Sequence, residues 1–178
     1  IPEVWSDYGI FLDTNEGDFE SVRRPLKDLG GVHVGIGSVQ NLKMAAWAEA
    51  VAVILADIDP FVAMTLAIIL ARLPLHRSPD KFYADIASLT KNHKSDERYL
   101  ELVPLPYRRA FATHLNIVRD DWGGFYDVFA RIFVKRTPRL FSLRRDYAYI
   151  RSLVAGGQVA ILYGDFFHPA AIDLLYGA

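Results

Sequence analysis

Two short, nearly uninterrupted apolar runs, residues 32–36 and 51–56, flank an alanine-rich segment at residues 40–50, and Gly35 and Gly37 punctuate the end of the first run. That order restricts the fold more than any other feature of the chain. Apolar runs of this length suit strands, the second, nearly continuous one suits a strand covered on both faces, and the segment between them is rich in helix formers. Strand, glycine turn, helix, strand is a βαβ unit. The second run stops at Asp57 and Asp59, and Gly35 to Asp57 is 22 residues. That is close to the ~20 expected when an acid at the second strand's tip accepts from ribose hydroxyls. The glycines let backbone approach a ligand, and the helix N-terminus offers free N–H groups. The expected ligand is one that carries a nucleoside.

A chain of 178 residues is long enough for one domain with a real core, and 52% hydrophobic against 23% charged residues speaks against disorder. The formal charge of -1 speaks against a protein that coats nucleic acid. There are no cysteines, which excludes disulfides, thiolate zinc sites and cysteine nucleophiles. The five histidines, at 33, 76, 93, 114 and 168, lack metal-ligand spacing. No Gly-Lys-Ser/Thr follows the glycines, so a phosphate loop is excluded. The longest strongly apolar run, residues 61–71, is too short to span a bilayer, and no charged-then-apolar leader opens the chain. It begins at Ile1 rather than Met, so a processed or trimmed chain is expected, cytoplasmic by default.

In chain order, Trp5, Tyr8 and Phe11 are aromatics for packing, and Thr14-Asn15-Glu16 reads as a helix cap. Residues 18–29 form a short amphipathic helix that Pro25 should kink or split. His33, among apolar neighbours, is expected to be structural. Asp59-Pro60 is an N-cap and first-turn pair for a helix over residues 61–73 that is apolar nearly all round. From 75 to 156 the periodicity is helical throughout. Helices are expected at 79–89, 107–118, 121–133 and 142–155, with a helical turn at 97–102. So many helices between strands suggest an inserted subdomain or lid. A last apolar run, residues 158–163, reads as a strand ending in Gly164-Asp165-Phe166. The fold expected is α/β, a single Rossmann-like domain over residues 1–178 with a partial, mostly parallel sheet and a helical insertion at 75–156. Its strands would present Gly37, Asp57 and Asp165 at one sheet edge, where ligands of doubly wound folds bind.

The turn Gly35-Ile36-Gly37 and the tips Asp57-Ile58-Asp59-Pro60 and Gly164-Asp165-Phe166 resemble the cofactor motifs of class I S-adenosylmethionine-dependent methyltransferases. More closely, the landmark order is similar to an uncharacterised bacterial methyltransferase-like family. Its landmarks here are Thr14-Asn15-Glu16, the stretch from Gly31 to Asn41, Asp57-Ile58-Asp59, the aromatic segment Phe125-Tyr126-Asp127-Val128-Phe129 and Gly164-Asp165-Phe166. The resemblance covers Trp5 to the C-terminus. It implies S-adenosylmethionine as cofactor, with the glycine turn under its methionine part, Asp57 on the ribose and Asp165 on the adenine amino group. There are two departures. Val39 or Gln40 stands where a third glycine is usual, and only 13 residues follow Asp165, where the complete fold carries more strands. Much of the substrate side would be missing from this chain or supplied by a second copy or a partner chain that completes the sheet.

Methyl transfer asks the protein mainly to position two reactants, so no catalytic triad is expected, and none is visible. Asp57 as ribose acceptor competes with a plain loop-capping acid, and N-capping before Pro60 explains Asp59 fully. Phe166 would stack on adenine or sit in the core. Gln40 and Asn41, where the helix begins, would reach the methionine carboxylate or simply cap. Glu16 would hold the cofactor's ammonium if its segment folds over the turn. His168 is the candidate general base, against a surface histidine before proline. Tyr126 would contact a lid or pack in the core. The cluster Lys135, Arg136, Arg139, Arg144 and Arg145 would receive a phosphate or acidic partner, though a solvated helical face is preferred. The function expected is methyl transfer to an unidentified acceptor. The alternatives are a nucleoside- or protein-binding module without turnover and, less favoured, an NAD-dependent oxidoreductase.

Overall fold

The computed structural model of the chain describes residues 19–37, 39–92, 96–103, 105, 108, 112, 141 and 143–163. A 3-10 turn, Phe19–Val22, leads into the short helix α1, Arg23–Leu26, so the segment holding Pro25 is split into two pieces. Then follow β1 (Val32–Ile36), α2 (Gln40–Ala48), β2 (Ala52–Asp57) and α3 (Pro60–Arg72). A 3-10 turn at Leu73–Leu75 bends the chain into α4 (Pro79–Asn92) and α5 (Asp96–Leu102). The helix α6 (Arg144–Ala155) and the strand β3 (Val159–Tyr163) close the described chain.

The three strands form one parallel sheet in the order β1-β2-β3. The architecture is therefore α/β, because parallel neighbours need crossovers and helices supply them. Register sets the carboxyl edge: Ile36 lies opposite Ala56, and Asp57 opposite Tyr163. Asp57 thus stands one step past the last paired residue of β1, level with Gly37. The turn before β1 is locked to the end of α2, since Gly30 N–H donates to Ala48 O at 2.7 Å and Val51 N–H to Gly31 O at 2.8 Å.

The helix-covered face of the sheet carries Val53 and Leu55, both buried, against a core built from Leu42, Ala45, Leu66 and Ile69. Val32, Val34 and Ile36 point to the other face and are exposed. The helix α3 is apolar nearly all round because it is buried on several sides, from Val62 to Ile69. Its start follows the capping expectation, with Pro60 in the first turn and Ala63 N–H donating to Asp59 O at 3.1 Å.

The helix α6 belongs to the same core. Tyr147, Ile150 and Leu153 are buried, and Phe82, Phe141 and Tyr147 meet with ring centroids 5.5–6.5 Å apart. Burying each such ring contributes about 2–3 kcal/mol. Hydroxyls then fix the orientation. Tyr147 donates to His76 O at 3.0 Å and Tyr149 to Ala50 O at 3.2 Å. The helix that leads into β3 is thereby fastened to both the α3–α4 corner and the end of α2. No helix among the described residues is long and apolar enough to cross a membrane.

Candidate functional site

The glycine turn is built by two different physical demands. Gly37 has φ 87°, a backbone conformation an L side chain adopts only with strain. Gly35 has ordinary backbone, but a Cβ there would lie 2.2 Å from the side chain of Asn41. Asn41, in the first turn of α2, reaches back across the strand end. Its Nδ2 donates to Ile36 O at 3.0 Å, and its Oδ1 lies 3.3 Å from His33 Nε2. Gly35 therefore makes room for an internal clamp, and His33 is its second anchor.

Opposite Gly37 stands Asp57. A Cβ on Gly37 would meet Asp57 Oδ2 at 3.8 Å and nothing nearer, so the Asp57 carboxylate stands beside the turn glycine. Asp57 Oδ1 accepts from Asp59 N–H at 2.7 Å, which is the loop-capping role of a strand-end aspartate. Burial pushes the Asp57 carboxyl up to about 6. The N–H of Asp59 opposes that shift, the neighbouring Asp59 charge adds to it, and the N–H groups of Ile58 and Gly37 oppose it again. A half-buried strand-tip acid whose titration is raised toward neutral pH marks a binding site more often than a random loop position.

The helix beside this acid is open at its start. Val39 provides no side-chain cap, and Gln40 is 8% exposed with an Oε1 that finds no donor. An orphan buried acceptor is costly, by about 1–3 kcal/mol, unless a ligand or water supplies the donor.

Of the residues singled out from sequence, Gly35, Gly37, Gln40, Asn41 and Asp57 are described. Gly37 and Asp57 face each other, while the Asn41 amide is engaged with His33 and Ile36. Glu16, Asp165, Phe166, His168, Tyr126, Lys135, Arg136 and Arg139 lie outside the described residues. Arg144 and Arg145 open α6, and Arg145 pairs with Glu49. Among the described residues, no group of three or more His, Cys, Asp or Glu is arranged to hold a metal ion. The His33–Asn41 contact was invisible in the sequence because it joins a strand to a helix across a turn.

The chain matches the family model described as a domain of unknown function (DUF7790) over residues 11–174, and it belongs to that family. No curated protein matches it.

Proposed function

We propose that this family member binds S-adenosylmethionine at the carboxyl edge of a Rossmann-like sheet and serves as a methyltransferase. The observation that carries the reading is the juxtaposition of Gly37, at φ 87°, with the Asp57 carboxylate at the carboxyl ends of β1 and β2. Ligands of open parallel α/β sheets bind at that edge, backbone glycine under the chain of the cofactor and acid on the ribose. The residues present fit the group. Asp57 Oδ1 is held by Asp59 N–H and Oδ2 lies beside Gly37, so the loop orients the acid while the carboxylate keeps lone pairs for a ribose hydroxyl. Gln40 Oε1, buried and without a donor, suits an ammonium. Asn41 keeps the turn in shape through Ile36 and His33.

When bound, the cofactor supplies an electrophilic methyl group on its sulfonium. The protein's task is to position it and exclude water, which needs no resident acid-base pair when the acceptor is already nucleophilic. In this reading Asp165 takes the adenine role the resemblance implies, and Glu16, Phe166 and His168 are the candidate ammonium partner, stacking ring and general base. A second reading, a nucleoside- or partner-binding module without turnover, is favoured by Asp57 already serving as a loop cap. A partner chain that extends the sheet would fit either reading.

Calorimetric titration of S-adenosylmethionine, S-adenosylhomocysteine and NAD separates cofactor classes. The proposal expects heat with the first two and its loss in Asp57→Ala. No binding of either overturns it. Binding without transfer of labelled methyl to any component of a cell extract selects the module.

A further inference from the structure

A second cleft lies at the other end of α2, about 13 Å along the helix from the glycine turn. It is a groove of about 360 Å³ between α1, the C-terminal end of α2 and the start of α6. That volume suits a small organic ligand. Its base is Asp146, 5% exposed, whose Oδ2 accepts from the buried Trp47 indole N–H at 3.2 Å. The other oxygen, Oδ1, takes no hydrogen bond from any described residue, although the carboxylate lines the groove. A carboxylate can take about four donors, and the described residues supply Asp146 with one.

The surroundings hold Asp146 in place and keep it accessible. The Trp47 ring is covered by the Lys43 ammonium at 4.8 Å and the Arg23 guanidinium at 5.7 Å from its centroid, so it acts as a fixed plate. Lys43 in turn pairs with Glu20 at 2.5 Å. Arg24 also lines the groove, is exposed and pairs with no described acid, whereas Lys27 meets Asp28 at 3.6 Å and Arg145 meets Glu49. Two further features converge here. Asp28 (φ 60°) and Glu49 (φ 53°) are the non-glycine residues with left-handed backbone among the described ones, and both line this groove. Glu49 is the left-handed C-cap that ends α2, its N–H donating to Ala45 O and Ala46 O.

We infer that this groove binds a small zwitterion, a free α-amino acid or short peptide, with its ammonium on Asp146 Oδ1 and its carboxylate on Arg24. A plain anion would leave Asp146 unserved and repelled, and a plain cation would leave Arg24 idle. Among the described residues, Asp146 and Arg24 are the charges lining the groove that lack an ion-pair partner, and their opposite signs select a ligand carrying both. The inference does not depend on the nucleoside proposal, because the two clefts share no residue.

The test uses the full chain labelled with ¹⁵N at tryptophan, with the Trp47 indole N–H assigned by its loss in Trp47→Phe. The probes are leucine, glycyl-leucine, N-acetylleucine and leucinamide. Leucine or glycyl-leucine should shift the Trp47 resonance saturably in the low millimolar range or below. Blocking the ammonium should weaken binding about tenfold or more, and blocking the carboxylate several-fold. Asp146→Asn should abolish the shift, and Arg24→Ala, a change at an exposed residue that leaves the fold intact, should weaken it several-fold. If Asp146→Asn does not fold, Arg24→Ala and the blocked probes decide. No saturable shift with either zwitterion, equal binding of N-acetylleucine, or affinity unchanged in Arg24→Ala overturns the inference.

Discussion

Replacing Asp57 with Asn should make the protein more stable at neutral pH while removing its ligand affinity. The carboxyl is raised from 3.8 to about 6, principally by burial. Two pKa units at ~1.36 kcal/mol each set a ceiling of about 3 kcal/mol for the cost of keeping this group charged in the folded state. Water reaches the half-buried group, so the realised cost is about 1–2 kcal/mol, or roughly 3–6 °C in melting temperature for a chain of this size. Asparagine keeps an oxygen for Asp59 N–H and drops only the charge. The sign follows from linkage. Between pH 3.8 and about 6 the folded protein holds a proton that the unfolded chain has released. Stability from this group is complete below the lower value, is lost as pH rises through the upper one, and stays flat beyond. The melting temperature of Asp57→Asn minus that of the wild type should therefore be near zero at pH 4, open between pH 4 and 6, and stay constant to pH 8. Thermal denaturation followed by circular dichroism across that range measures it. A variant less stable than the wild type at pH 7.5, or a gap that does not change with pH, refutes the reasoning.

Other outcomes follow from the same geometry. Gly35→Ala should cost about 1–3 kcal/mol by driving a methyl into Asn41, and most of that cost should vanish in the Asn41→Ala background; a urea double-mutant cycle showing simple additivity would contradict the clamp. Gly37→Ala, which meets no clash, should cost about 1–2 kcal/mol from its φ of 87° alone, and Asn at this position should cost less; equal loss for both in denaturant melts would point to sterics instead. Asp85 accepts two hydrogen bonds from Arg72 at 2.6 Å and lies 3.0 Å from His76 Nε2, and although burial alone would raise its carboxyl, these partners leave it lowered. Its contribution is present above the ordinary carboxylate range and lost as pH falls through the lowered value, so Asp85→Asn should cost about 1–2 kcal/mol at pH 7 and far less at pH 3; a pH-independent difference would sink that assignment. Tyr147→Phe should cost about 1 kcal/mol, read by the same melts, because it releases the α3–α4 corner from α6.

The βαβ unit could be read from sequence because each of its signals is local. Apolar runs bounded by glycine and aspartate marked β1 and β2, helix formers marked α2, and Asp59-Pro60 marked the start of α3. Each element lies within two residues of where those signals place it. The parallel pairing was an expectation from apolar content and is realised in the register that sets Asp57 beside Gly37. What stayed hidden were contacts between segments far apart in the chain. Asn41 looked like a ligand residue, yet its amide is used across eight residues by His33. The groove beneath Trp47 joins residues near 24, 47 and 146, and no periodicity brings those together. Its one sequence signal was the basic cluster that includes Arg144 and Arg145, which reads equally well as a solvated helical face.

The central claim is that the strand tips at Gly37 and Asp57 hold a nucleoside cofactor, and selective ¹⁵N-glycine labelling tests it most directly. On titration with S-adenosylhomocysteine, the Gly35 and Gly37 amides, assigned by substitution, should shift saturably while Gly156 and Gly157 at the far end of α6 stay still. In Asp57→Asn the same titration should leave all four unmoved. Shifts confined to Gly156 and Gly157, or no shift at Gly37 at saturating ligand, would contradict the account.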